Sequence, residues 1–148
     1  GETSKLAILI GALILIITGI GSLRIMLSVI TGGVFMTLIF NLIGANTYMQ
    51  IDPMTQLMMG GFMFGAVFMA TDPVTASQTP SGKIVYGVLI GVFAILVRVF
   101  NPAYPEGMML SILLMNTFAP LIDHVVVQNN IRKRLKRLPK ITNNVEPK

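Results

Sequence analysis

The sequence predicts an all-α polytopic membrane protein with five transmembrane helices, and three observations carry that reading. Apolar runs recur at residues 6–22, 25–45, 53–71, 84–100 and 107–128, separated by short polar or Pro/Gly-rich turns. Only 11% of the 148 residues are charged, less than half the roughly 25% of a soluble domain. A mean hydropathy of +0.76 says the same. Third, Lys and Arg gather on alternate turns, as expected when one side of a bilayer retains them.

Each run has its own punctuation. The first is aliphatic and broken by Gly11, Thr18 and Gly19; alone it falls short of the ~20 residues that cross a bilayer core, and it needs its flanks to span. Gly21-Ser22-Leu23-Arg24 forms a turn, and the second run, with Gly32-Gly33, is full length. Residues 46–56 are polar and hold Asp52-Pro53-Met54-Thr55. Asp followed by Pro opens a helix, because the carboxylate caps free N–H groups and Pro suits the first helical position. The third run therefore starts near Pro53 and reaches Thr71.

Asp72-Pro73-Val74-Thr75 repeats the same pattern. Pro73 breaks the backbone at Asp72 and predicts a broken segment over 72–78, with a short helix over 73–78. Residues 79–83 read as a turn. The fourth run carries Gly87 and Gly91 at a spacing that permits close helix contact, and Arg98 near its end is expected to snorkel to the interface. Residues 101–106 form a Pro-stiffened loop. The fifth run is loosened by Asn116, Thr117 and Pro120 before Asp123-His124. The domain reading is one five-helix unit over 1–130 and a basic cytoplasmic tail over 131–148, disordered over 141–148. That tail reads as an anchor at an anionic leaflet; with no interleaved aromatics, it does not read as a nucleic-acid patch.

Orientation follows from the charges. With the tail cytoplasmic, five spans also place Arg24 and Lys83 inside, whereas 46–56 and 101–106 contain no Lys or Arg. Gly1 then lies outside, and Asp72 and Asp123 lie toward the cytoplasmic half. The start, Gly1-Glu2-Thr3-Ser4, has no basic region of a signal peptide and reads as the interior of a longer polypeptide.

The chemistry is restricted. Without cysteine there are no disulfides, iron–sulfur ligands or thiolate zinc sites, and the single histidine, His124, excludes bis-histidine haem ligation. No nucleophile–base pair or phosphate loop is visible. Asp72 stands out, since a carboxylate at membrane depth costs about 2.5–3.5 kcal/mol and usually faces a partner, cavity or ion. Helix capping and ion handling both account for it. Phe64 and Phe68 share a helix face that leads toward Asp72; ordinary core packing is the commoner use of such a pair. Asp123, at the inner end of the fifth span, is expected to be solvated at the interface.

Several strings resemble one family. Gly1-Glu2-Thr3-Ser4, Ala70-Thr71-Asp72-Pro73-Val74-Thr75-Ala76-Ser77-Gln78-Thr79, Asn101-Pro102-Ala103-Tyr104-Pro105-Glu106-Gly107-Met108-Met109-Leu110 and Leu114-Met115-Asn116-Thr117-Phe118-Ala119-Pro120-Leu121-Ile122-Asp123-His124 are similar to the C-terminal half of the B subunit of sodium-translocating NADH:quinone oxidoreductases. The related D subunit of Rnf complexes shares some of them; the Asn-Pro-Ala-Tyr-Pro-Glu-Gly-Met-Met form and the Leu-Ile-Asp-His ending favour the quinone reductase. The resemblance implies a urea-transporter-like fold of ten helices in two inverted repeats, of which this chain is the second. It implies a bacterial inner-membrane component of a redox-driven sodium pump. Its partners would be the N-terminal half, other subunits, quinone and lipid.

The family's FMN is bonded to a threonine in a Ser-Gly-Ala-Thr motif that this sequence lacks, so the covalent flavin is expected on the N-terminal half, with riboflavin at subunit interfaces. Among site residues, the resemblance implies that Asp72 is a sodium-path carboxylate, with Thr71 and Thr75 supplying further oxygens. Phe64 and Phe68 would form its constriction, and Asp123 a second acid near the cytoplasmic mouth. A passive channel or carrier of the same fold, and a scaffold that only packs against other subunits, are the competing readings.

Overall fold

The computed structural model describes residues 4–44, 46–101 and 107–136. Most of the 101–106 loop, the Gly1-Glu2-Thr3 start and the tail from Arg137 onward, including the end expected to be disordered, lie outside the described residues.

Helix α1 spans Lys5–Ile17, and the Ser4 hydroxyl accepts the Ala7 amide at its start. Thirteen residues rise about 20 Å, less than a bilayer core of about 30 Å. Its Leu6, Leu9, Leu13 and Ile17 are exposed, and only Ile8 and Ala12 are buried. The second run forms α2, Leu23–Ile43, long and apolar enough to span a membrane.

The third run departs from expectation. Instead of one helix over 53–71, the chain makes α3, Pro53–Met58, breaks at residues 59–61, and resumes as α4, Phe62–Phe64. As expected, the Asp52 carboxylate caps α3 by accepting the Met54 amide at 3.1 Å. The break turns on Gly60, whose φ of +59° is disfavoured for a residue with a Cβ. From α4 the helix continues as a π-helix, Gly65–Met69, in which the Ala70 amide donates five residues back to Gly65 at 2.8 Å. Such bulges are rare and concentrate at functional positions.

Helices α5, Pro80–Phe100, and α6, Gly107–Leu135, complete the described fold. The turn expected at 79–83 is instead the start of α5: Thr79 caps it by accepting the Gly82 amide, and Pro80 takes the first position. The expected tail boundary also moves, because α6 runs on through Arg132, Lys133 and Arg134. All helices and no strands are found among the described residues, and three helices, α2, α5 and α6, are long and apolar enough to cross a membrane.

The core sits where α2, α5 and α6 meet the broken third run, around Val29, Phe62, Tyr86, Ile90 and Met115. Lipid is as apolar as these side chains, so close packing, and not water exclusion, must hold the helices together. Glycine makes that packing close. A Cβ on Gly32 would strike the backbone of Val88, and one on Gly91 would strike the Val29 carbonyl and the Gly33 amide. Backbones of α2 and α5 therefore touch directly, as the small-residue spacing predicts.

Arg98 corrects an expectation. It does not snorkel; only 5% of it is exposed. Its guanidinium donates to the Gln56 and Met59 carbonyls, and Gln56 is itself buried. These are carbonyls at the end of α3, where the break removes the helical amides that would have satisfied them. The arginine replaces those donors inside the protein, which is how irregular backbone is tolerated at membrane depth.

Candidate functional site

Beyond the π-helix the backbone opens into a non-helical stretch over residues 70–79. No helix forms over 73–78. Asp72 instead closes a single turn: its Oδ2 accepts the Thr75 hydroxyl at 2.7 Å and the Thr75 amide at 3.3 Å, and its Oδ1 accepts the Val74 amide at 3.3 Å. The hydroxyl contact is short, and both amide contacts exceed the usual 2.9–3.0 Å.

Thr71 is buried, and its hydroxyl donates to the Val67 carbonyl at 2.6 Å, leaving the oxygen lone pairs available. A cavity of about 410 Å³ collects these groups: Thr71, Asp72 and Thr75 line it together with Phe68, Asn116 and apolar residues of α1 and α6. Phe68 lies at its α1 side, over Gly11, where a Cβ would collide with the ring. The Phe64 and Phe68 rings pack with centroids 5.1 Å apart and planes tilted 40°. Phe64 lies outside the cavity lining, and both rings are partly exposed on the described chain.

Two residues missed by the sequence reading join the site. Asn116 lines the cavity from α6, and its Oδ1 accepts the hydroxyl of Tyr86, a fully buried residue of α5. Pro120 has no N–H to give the Asn116 carbonyl, so that oxygen lacks its usual helical donor. The signal available in the sequence was a polar amide four residues before a proline, inside an apolar run.

Asp123 lies elsewhere. It is not mainly solvated: its Oδ1 accepts the Ser77 hydroxyl, the Thr79 hydroxyl at 2.6 Å and the Thr79 amide at 3.1 Å, and its Oδ2 accepts the Gln78 amide at 2.8 Å. One carboxylate on α6 thus fastens the non-helical stretch just before α5 begins.

The cavity offers one formal negative charge and several neutral oxygens, a donor set suited to a hard cation. No cluster of three or more His, Cys, Asp or Glu side chains that could hold a tightly bound metal occurs among the described residues. Nor does the sequence contain a Ser-Gly-Ala-Thr string for covalent flavin.

Comparison with known proteins decides the ancestry. Residues 1–132 match a family described as NQR2, RnfD, RnfE. The chain belongs to that family. Among its relatives, the B subunit of the Na(+)-translocating NADH-quinone reductase of Ectopseudomonas mendocina (strain ymp) is 57% identical over 143 residues. The proteins of the same name from Chromohalobacter salexigens and Pseudomonas aeruginosa (strain LESB58) are each 55% identical over 139 residues. In each case 93% of this chain is covered but only 34% of the relative, so this member of the NQR2, RnfD, RnfE family spans about a third of their length.

Proposed function

We propose that this chain forms part of the sodium path in a redox-driven pump, a sodium-translocating NADH:quinone oxidoreductase of a bacterial inner membrane. The observation that carries the reading is the cavity joining Phe68, Thr71, Asp72, Thr75 and Asn116 beside a π-helix and a backbone break. Sodium is the cargo, and the chain's own groups do three things for it. Asp72 offsets its charge, the threonine hydroxyls replace part of its water, and the Phe68 ring, with Phe64 packed against it, narrows the apolar side of the path, where dewetting opposes leak. The Thr75 hydroxyl donates to Asp72 Oδ2 and keeps its own oxygen lone pairs, so both oxygens can face the same cation.

In this reading the chain is the second of two inverted five-helix repeats, and the covalent FMN is carried by the N-terminal repeat. Riboflavin and quinone lie at interfaces with that half or with other subunits. The basic end of α6 faces the cytoplasm and Gly1 the outside. Electron transfer needs those parts, so the chain alone is not expected to catalyse it. An Rnf-type complex is the runner-up, because the matched family includes RnfD; the Asn-Pro-Ala-Tyr-Pro-Glu-Gly-Met-Met string favours the quinone reductase.

The test is Asp72→Asn in the whole complex. Losing a charged ligand should raise the sodium concentration for half-maximal quinone reduction about tenfold, with flavin absorbance unchanged. An unaltered sodium dependence would remove Asp72 from the path. Absence of flavin from the purified full-length protein would favour a passive channel or carrier.

A further inference from the structure

A second cavity, of about 330 Å³, opens between the start of α2 and the start of α5, lined by Ser22, Leu23, Arg24, Gln78, Pro80 and Lys83. It lies beside the loop fastened by Asp123, and α6 continues past that level for some nine more residues to Arg132, so the cavity is at the basic end of the bundle. Two cations share it. Among the described residues no carboxylate pairs with either, and the Asp123 carboxylate is taken up by two hydroxyls and two amides. The Ser22 side chain makes no capping bond to α2 either; its carbonyl takes the Ile25 and Met26 amides, which leaves those of Leu23 and Arg24 at the helix start.

What adjoins the cavity indicates the kind of anion. Leu23 and Leu27 on α2, and Ile84 and Val85 on α5, stand exposed within about a turn of the two cations. Turned toward a bilayer, these side chains would meet acyl chains, and Arg24 and Lys83 would stand where such chains meet their headgroups. A soluble anion would use the charges and leave the apolar flank without a role; a lipid uses both.

We propose that this cavity binds the phosphate headgroup of an anionic phospholipid. Arg24 and Lys83 hold the phosphate, and the flanking residues of α2 and α5 receive its chains. Arg24 presents a planar fork that can contact two phosphate oxygens at once, and Lys83 adds a compact charge. The proposal requires only that the chain spans a bilayer; it is independent of the sodium path and survives if Asp72→Asn proves silent.

The test uses the whole complex in neutral phosphatidylcholine nanodiscs, titrated with spin-labelled phosphatidylglycerol, and reads the motionally restricted lipid. The wild type should show a saturable restricted component. Arg24→Gln and Lys83→Gln should each weaken it about fivefold at low salt, from the worth of one basic residue at an anionic surface. Arg24→Lys should restore most of the binding, and Lys133→Gln, on the exposed end of α6, should leave it intact. A single symmetric size-exclusion peak certifies folding, and either glutamine variant suffices if the other fails to assemble. Equal restricted lipid in the wild type and the Arg24→Gln/Lys83→Gln pair would overturn the proposal. So would an equal loss in Lys133→Gln, which would mean diffuse surface attraction, or displacement of the lipid by inorganic phosphate at matched concentration, which would mean a soluble-anion site.

Discussion

Two charged side chains show how a single residue can replace missing backbone partners. Arg98 donates to carbonyls at the end of α3, and Asp123 accepts donors from the loop before α5. Each makes charge-assisted hydrogen bonds, worth about 1.5–3 kcal/mol apiece. Arg98→Met keeps the apolar stem and removes the bonds to both carbonyls, so it should cost about 3 kcal/mol and lower the unfolding temperature of the purified complex. Arg98→Lys should recover part of the loss, because one ammonium still reaches a carbonyl. For Asp123→Asn, hydrogen exchange at the Gln78 and Thr79 amides should accelerate about tenfold. Unchanged exchange would mean that the carboxylate does not hold this stretch.

At the scale of elements, the third run matters most, because it is the element that is not one helix. Gly60 and Gly61 stand side by side at the break and predict different outcomes. Gly60 has φ +59°, so Gly60→Ala should destabilise by about 1 kcal/mol. Gly61 has φ −81° and open space where a Cβ would project, so Gly61→Ala should be neutral. Thermal unfolding of the two variants checks the contrast. The α2–α5 contact is less forgiving. Gly91→Val would drive a branched side chain into the α2 backbone, and the yield of folded, size-homogeneous protein should collapse.

Across the whole molecule, two cavities differ in the charge that lines them. Arg24 and Lys83 meet at the basic end, while Asp72 and its neighbouring oxygens face the larger cavity. On the proposed function, Phe68→Ala should widen the path on its α1 side and raise passive sodium leak in proteoliposomes, with assembly preserved. A leak equal to the wild type would assign the ring to packing alone. Apolar faces of α1 and α6 stand exposed on the described chain.

Much of the outline was legible because it depends on neighbours in sequence. Apolar run length predicts α2, α5 and α6, the Asp-Pro pair predicts the cap of α3, and Gly87 with Gly91 predicts a close helix contact. The Phe64–Phe68 pairing follows from four-residue spacing, whereas the short helix expected after Asp72 is replaced by a single turn. What remained hidden depends on partners far along the chain. Arg98 lies 42 residues from Gln56, Asp123 lies 44–46 residues from the groups it fastens, and Tyr86 lies 30 from Asn116. A Gly-Gly pair in an apolar run does not announce a break, because a helix tolerates such a pair until something else satisfies the freed carbonyls. By itself the sequence determined that the chain is membrane-embedded and where an acid interrupts it; only the tertiary structure decided which polar groups meet, since in lipid each must find its partner within the protein.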